Sequence, residues 1–538
     1  MPKYIFICGA LISGLGKGVV TSSIGKNLQI RGKKVNVIKI DPYLNIDAGT
    51  MNPYEHGETY VTADGSEIDV DFGHYERMLN LEMKGDQNIT TGQVYQSVID
   101  KERRGDFLGK TVQVIPHITD EIKRRIKSIG EREPNLDVLI IEVGGTIGDI
   151  ESQPFLEAIR QVRREMVSED SLLVFLTYIL EPPNLKEQKT KPTQHAVREL
   201  QSMGLSPDII ISRGSHALSD SAREKIVMFC DVPANAVFSL PDLDTVLEAP
   251  IYLDKQGLGS TLNLMLRYED IAADWLEYER LIERFTKTEN IVQIAITGKY
   301  TELADSYISV KEAIHHAAAH NNVHAVINFV STEEYEDNIE KIHELNKFDG
   351  ILVPGGFGSR GAEGKISVIK YARETKVPFL GICYGFQLSV IEYARNESNL
   401  EKANTSEVDP NSPHPVIDLL PEQKTVDEMG GTMRLGKHKI LIKTNSILEG
   451  IYKDTETGER HRHRYEVNPE YIDILERKGL SFSGRSEDET RMEALEIKDH
   501  PYFIATQFHP EFQSRPLKPS PPYFAFIKAA KQRSEQRT

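Results

Sequence analysis

The chain is poor in cysteine: three in 538 residues, at Cys8, Cys230 and Cys383. Three scattered thiols build no disulfide scaffold, so a small secreted framework is excluded, a reducing compartment is expected, and each thiol is judged singly. Basic residues are outnumbered, with 64 Lys and Arg against 81 Asp and Glu, a net charge of −17. That balance argues against broad adhesion to nucleic acid or to an anionic membrane, and leaves room for a local basic pocket. No run approaches the ~18 consecutive apolar residues of a membrane span. The N-terminus, MPKYIFICGA, has no basic segment leading into an apolar stretch and a small-residue cleavage site. Neither a membrane span nor a secretory signal is expected, and the cytoplasm is the expected location.

What is present is ordinary globular material, 39% hydrophobic and 27% charged, which excludes a disordered or collagen-like chain. At roughly 100–200 residues per domain the length suggests two to four domains. Tyr4–Cys8, Val35–Ile40, Thr111–Ile115, Val138–Val143, Ser171–Leu176 and Asp208–Ile211 read as buried strands. Amphipathic stretches at Val19–Arg31, His117–Ile129 and Gln153–Met166 alternate with them. Buried runs bracketing such helices predict βαβ units and a parallel sheet, an α/β fold. The pattern lasts to about Leu266, gives way to a charged helix and linker over 267–290 that holds the only tryptophan, Trp275, and restarts at Val292–Thr297. Val323–Val330, Gly350–Val353 and Pro378–Ile382 follow as strands, with a helix around Ser309–His320. The expected division is therefore 1–266, a linker helix at 267–290, and 291–538. Glu401–Pro415 and Arg485–Thr490 read as exposed inserts, and the tail after Ile527 as a frayed helix end.

After the first strand comes GALISGLGKG, residues 9–18, and then a helix. Glycines let backbone N–H groups wrap a phosphate, the helix start favours its charge, and Lys17 reaches the terminal phosphates. The spacing deviates from G-x-x-x-x-G-K-[ST]: Leu11 stands at the first glycine and Gly18 at the Ser/Thr. The competing reading is a glycine-rich turn. A deviant loop draws its metal ligands from elsewhere, and Mg²⁺ takes one or two carboxylates plus phosphates. Asp71, in DVDFGHYER (69–77), and Glu142, at the end of a strand before VGGTIGD, are the candidates. The polar loops 40–45 and KTKPTQH (189–195) suit a second phosphate with a base or ribose, or else a capped turn.

A different chemistry stands in the second half. In FLGICYGFQ, 379–387, a buried run meets a cysteine between glycines and then a helix. At such an elbow the helix dipole favours thiolate, the nucleophilic form. His509 and Glu511, in QFHPEF (507–512), supply a base and its orienter. PGGFGSRG (354–361) offers backbone N–H groups to an oxyanion. Cys8 and Cys230 read as core hydrophobes. RHRHRYEVN (460–468) is basic but short and without aromatic interleaving, so an arginine for a small carboxylate fits it better than nucleic acid.

Taken together, SGLGKG (13–18), KIDPYLNIDAGTMNPYEHGE (39–58), DVDFGHYER, EVGGTIGDIES (142–152), KTKPTQH, PGGFGSRG, GICYGFQ, RHRHRYEVN and QFHPEF occur in one order along the chain. In this the sequence resembles the CTP synthase family over essentially its whole length. The resemblance implies two α/β domains, an amidoligase and a class I glutaminase. It implies amination of UTP to CTP with ATP, Mg²⁺ and nitrogen from glutamine or free ammonia, through a 4-phosphorylated UTP. It also implies activation by GTP, feedback inhibition by CTP, a homotetramer (a dimer of dimers), and no nucleic-acid or membrane partner. By it, Gly14, Leu15, Gly16, Lys17, Gly18, Val19, Asp71 and Asp242 hold ATP, and Asp71 and Glu142 hold the metal. Ser13, Asp149, Ile150, Glu151, Lys189, Thr190, Lys191, Pro192, Thr193, Gln194 and Lys225 line the UTP and CTP pocket. Gly356, Tyr384, Gly385, Phe386, Gln387, Glu407 and Arg464 hold glutamine, and Cys383, His509 and Glu511 hydrolyse it. Gly14 replaces a serine common in the family, and Tyr384 and Phe386 replace leucine and methionine. Two rivals remain: a P-loop ligase acting on another acceptor, such as a cobyrinate-type amidase, against which the KPTQ and GHYER segments speak, and a non-catalytic nucleotide sensor or filament protein, against which the complete set of reactive residues speaks.

Overall fold

Seven short strands form the first sheet, most of them runs of Val, Ile, Leu and Phe, because burial on both faces removes the need for a polar face. In spatial order they are Asn88–Thr90, Val35–Asp41, Val138–Val143, Lys3–Gly9, Ser171–Tyr178, Ile209–Gly214 and Val237–Pro241. Every neighbouring pair is parallel. The helices between them carry one apolar stripe each. Gln153–Glu165 has Pro154 in its first turn, buries Phe155, Leu156, Ile159 and Val162, and ends on Arg163 and Arg164, where cations suit the dipole. Each buried apolar side chain of that stripe contributes about 1.5–3 kcal/mol, and an aspartate at Ile159 would break it by burying an unpaired charge.

The computed structural model describes residues 2–49, 51, 57–182, 184, 187–298, 304–419 and 433–537. The chain folds as two compact units, Met1–Thr50 with Asp71–Ile282, and Met51–Val70 with Glu283–Thr538. The second unit holds a nine-stranded sheet. His324–Ser331, Ile291–Gly298, Gly350–Val353, Phe379–Ile382 and Phe503–Thr506 are parallel neighbours. Met492–Glu496, Ser481–Ser486, Arg434–Ile442 and Glu456–His463 continue it antiparallel. The molecule is thus α/β twice over, with two mostly parallel sheets flanked by helices.

Several local expectations are corrected. Thr111–Ile115 is not a strand: it leads into a short π turn, with Val114 and Ile115 exposed. Among the described residues no strand pairs with it, and without a partner β-branched residues alone do not make one. The edge strand is Asn88–Thr90 instead, three residues too short to signal themselves. Glu401–Pro415 contains the strand Ala403–Thr405 and the start of its partner, His414–Asp418. The terminal helix does not fray after Ile527; it runs Pro521–Arg537, buries Ala530, and Arg537 bonds Asp349 at 3.3 Å.

The expected division was contiguous, whereas the structure takes 51–70 out of the first half and counts it with the second. Its strands Tyr60–Val61 and Glu67–Ile68 form a hairpin. Arg460, fully buried, donates to the Tyr60 hydroxyl at 3.1 Å and to the Val61 carbonyl at 3.0 Å. In the 267–290 stretch, Leu276–Thr286 is helical, and Trp275 donates to Asp254 at 2.6 Å within the first unit.

Candidate active sites

In the first unit the strand Lys3–Gly9 ends in a loop whose Gly14 and Gly16 have φ of 73° and 82°. That left-handed backbone favours glycine, and Gly16 caps the helix Lys17–Gln29. The loop Val143–Asp149 lies alongside: the Ile147 N–H donates to the Gly9 carbonyl at 2.9 Å, and Lys17 Nζ donates to the Gly145 carbonyl at 2.7 Å. Burial lowers the Lys17 ammonium, and Glu142 partly restores it. These loops leave the carboxyl ends of parallel strands, where ligands bind in open α/β sheets.

Glu142, 1% exposed, is held on both oxygens. Thr21 and Tyr75 hydroxyls donate to one at 2.6 Å each, and Lys39 Nζ to the other at 3.1 Å. Lys39 also bonds Asp71. Burial alone would lower Lys39, yet Asp71 and Glu142 outweigh it and raise the ammonium well above its ordinary range. A cation therefore already sits between these carboxylates. Among the described residues no group of three His, Cys, Asp or Glu gathers as metal ligands. Two hard carboxylates, with substrate phosphates and water completing the shell, fit Mg²⁺.

Elsewhere in this unit Arg213 joins Asp242, at 3.0 Å, to the Leu15 carbonyl, at 3.3 Å. Lys189 and Lys225 converge on Glu187, at 2.6 and 3.5 Å. Thr190 precedes the helix Lys191–Ser202, whose first turn carries Pro192, Thr193 and Gln194. Thr193 and Thr177 share a hydroxyl hydrogen bond of 2.9 Å. Asp149 accepts from the Thr146 N–H at 2.6 Å, Ile150 and Glu151 are exposed, and Ser13 sits exposed in the glycine loop. Residues 50 and 52–56 of the segment 39–58 lie outside the described residues.

In the second unit Cys383 stands between the strand Phe379–Ile382 and the helix Tyr384–Asn396. Its φ of 52° and ψ of −99° mark a strained strand-to-helix elbow. Two glycines make the elbow possible. A Cβ on Gly385 would lie 2.2 Å from the Val353 carbonyl oxygen, and one on Gly355 would lie 3.2 Å from the His509 ring. His509 Nδ1 meets Glu511 Oε1 at 2.7 Å, its ring stacks on Phe512, and its backbone N–H donates to the Arg460 carbonyl at 2.8 Å. Its Nε2 is buried. Burial opposes a charged ring at His509, but the Glu511 carboxylate and then Cys383 outweigh it, raising the imidazole to about 10.

Cys383, His509 and Glu511 line a cavity of about 400 Å³ together with Gly356, Gln387, Glu407 and Arg464. Tyr384, Gly385 and Phe386, expected there, are not in its lining. Tyr384 and Phe386 are buried in the hydrophobic core, because the first helical turn faces the sheet. Tyr384 acts at one remove: its hydroxyl donates to the Gly358 carbonyl at 2.7 Å, while the Gly358 N–H donates to Glu407 at 3.1 Å. Glu58, Thr59 and Arg462 also line the cavity; Glu58 and Arg462 fall within the motifs 39–58 and 460–468, but neither was assigned to this site. The run 460–464 is not a surface patch. Arg460, His461 and His463 are buried on a strand, and burial, then Arg434, holds both histidines well below their ordinary range.

Comparisons follow the same two halves. The family described as CTP synthase N-terminus matches residues 3–268, and the glutamine amidotransferase class-I family matches 302–529. The CTP synthase of Pyrococcus abyssi is 52% identical over 538 residues, spanning 100% of this chain and 99% of its own. That of Methanosarcina acetivorans is 52% identical over 529 residues, spanning 98% of each. Among solved structures, the Trypanosoma brucei CTPS glutaminase domain with bound acivicin is 38% identical, with TM-score 0.43, over 45% of this chain and 94% of that one. Matched end to end by relatives of that name, the chain belongs to the CTP synthase family.

Proposed function

We propose that this chain aminates UTP to CTP, releasing nitrogen from glutamine in the second unit and consuming it in the first. The observation that carries this reading is the pairing, on one chain matched end to end by CTP synthases, of a sulfur–imidazole–carboxylate site with a lysine-bearing phosphate cradle.

Cys383 Sγ attacks the glutamine carboxamide carbon, and backbone N–H groups of the Gly355–Gly356 loop stabilise the oxyanion. His509, oriented by Glu511, gives its proton to the departing ammonia and leaves a thioester. Water then adds to the thioester, His509 takes the water's proton, glutamate departs, and the sulfur is restored. Glu407 and Arg464 bind the charged ends of glutamine.

In the first unit Gly14–Val19 and Asp242 hold ATP, while Ser13, Asp149–Glu151, Lys189–Gln194 and Lys225 hold UTP. The UTP 4-oxygen takes the γ-phosphoryl group from ATP, ADP leaves, ammonia adds at carbon 4, and phosphate departs. Such a transfer needs positioning and charge neutralisation more than covalent help. Lys17 supplies the charge from the protein. Asp71 and Glu142 would hold Mg²⁺, which would supply further charge neutralisation at the phosphates. GTP activation, CTP inhibition at the UTP pocket and a homotetramer complete the reading and rest on the family resemblance.

The test measures CTP by absorbance with UTP, ATP, Mg²⁺ and glutamine or ammonia, with and without GTP. Cys383→Ala is expected to abolish the glutamine-dependent reaction and spare the ammonia-dependent one. Loss of both would contradict separate sites.

A further inference from the structure

Besides His509, the sulfur of Cys383 has two polar neighbours whose chemistry differs. The Arg462 carbonyl oxygen, 3.6 Å away, accepts only, so it serves the protonated thiol. The side-chain amide nitrogen of Gln507 lies 3.8 Å away and is placed to donate to sulfur. Gln507 is fully buried, and its backbone N–H is fixed by the Glu493 carbonyl at 2.8 Å.

A glutamine side chain offers an oxygen and a nitrogen, and which end faces the sulfur decides its effect. Here the neighbours decide. The Tyr465 carbonyl accepts only, so the Gln387 side chain must turn its nitrogen toward it, at 3.0 Å. That same nitrogen faces Gln507 Oε1 at 3.2 Å. Reversing Gln507 would set two N–H donors against each other, with Gln387 97% buried. The amide nitrogen of Gln507 is therefore held toward sulfur by a relay that begins at a backbone carbonyl.

We propose that Gln507 is a further catalytic residue of the sulfur site: its locked amide donates to Cys383 Sγ and stabilises the thiolate that attacks glutamine. A hydrogen bond to a charged group contributes more than one between neutral groups. The resulting charge separation is completed by His509, which shares the cavity with the sulfur. This assignment rests on Cys383 being the nucleophile.

Gln507→Glu tests it with little change in size, because the carboxylate still accepts from Gln387 but no longer donates to sulfur. Gln507→Met removes both functions. In the full chain, carbamidomethylation of Cys383 by iodoacetamide at neutral pH, followed by mass spectrometry, is expected to slow about tenfold in each variant. The kcat for glutamine hydrolysis falls at least as far, the KM for glutamine changes less than about threefold, and ammonia-dependent CTP synthesis stays within about twofold. Should one variant lose ammonia-dependent synthesis through misfolding, the other decides. Alkylation and kcat both within about threefold of the parent overturn the assignment. Cys383→Ala separates the two readings: if it still hydrolyses glutamine the nucleophile is wrong, and if it is inert beside a fully reactive Gln507→Glu chain, only the role of Gln507 fails.

Discussion

Glu67 accepts a hydrogen bond from Nε of Arg462 at 2.7 Å, although 395 residues separate them in sequence. Arg462 lines the cavity that holds Cys383, so a hairpin encoded early in the chain braces a wall of the thiol site. The pair itself is partly exposed, and such pairs contribute about 0–1 kcal/mol. The stronger anchor is Tyr60, fully buried, packed edge-on against Phe512 at 4.9 Å and bonded to its carbonyl at 3.3 Å.

Tyr60→Ala should therefore destabilise the second unit by about 3–5 kcal/mol, the range for removing a buried aromatic ring. Because Phe512 stacks on His509, glutamine hydrolysis should decline as well. Urea unfolding followed by fluorescence measures the first effect; an unchanged midpoint would show that the hairpin is not a structural part of this unit.

The His509–Glu511 pair sets a pH dependence. With its imidazole raised to about 10 by Glu511 and Cys383 against the opposing effect of burial, His509 binds its proton more tightly folded than unfolded. Its contribution to stability is fully present below the unfolded value near 6.5 and is lost as pH rises through about 10. The stability advantage of the parent over Glu511→Gln should shrink between those limits. The alkaline limb of glutaminase activity should move to lower pH in the variant. A pH-independent difference in unfolding midpoints would contradict it.

Gly385→Ala should cut glutamine hydrolysis by more than about 100-fold, since the added Cβ meets the Val353 carbonyl and forces the helix that carries the elbow outward. Ammonia-dependent synthesis serves as the control for the first unit. A variant with normal hydrolysis would mean that the elbow tolerates displacement.

Lys39→Met leaves Asp71 and the buried Glu142 facing each other without their shared cation. Removing one member of such a buried group costs about 3–5 kcal/mol. Millimolar Mg²⁺ should raise the melting temperature of this variant more than that of the parent. Equal shifts in a thermal melt would argue against a divalent site at these carboxylates.

The first sheet and most parallel strands of the second were legible because buried parallel strands announce themselves as unbroken apolar runs: Val138–Val143 ends at the same residues in sequence and structure. The antiparallel strands Arg434–Ile442, Glu456–His463, Ser481–Ser486 and Met492–Glu496 carry polar residues throughout and do not read as strands. The glycine loop and the cysteine elbow were legible because each needs glycine at fixed offsets from a reactive residue. Thr111–Ile115 misled, since β-branched composition says nothing about whether a partner strand exists. Glu58 closes a quoted motif, but that it and Thr59 join the thiol cavity was not legible, because no local periodicity records contacts between residues hundreds of positions apart. The burial of the Tyr384 and Phe386 side chains in the core was not legible either, since a motif does not record which face of a helix is covered.

The hairpin at 60–68 also bears on how this polypeptide can be divided. A fragment cut at the charged stretch near residue 290 would keep its sulfur, imidazole and carboxylate, yet would lack Glu58 and Thr59. The Arg460 guanidinium, fully buried in the whole chain, would lose the Val61 carbonyl and the Tyr60 hydroxyl that receive its protons. Excision at the obvious seam thus yields a piece with a missing side and a buried cation short of two of its acceptors, and a self-sufficient piece would have to carry that early ribbon with it.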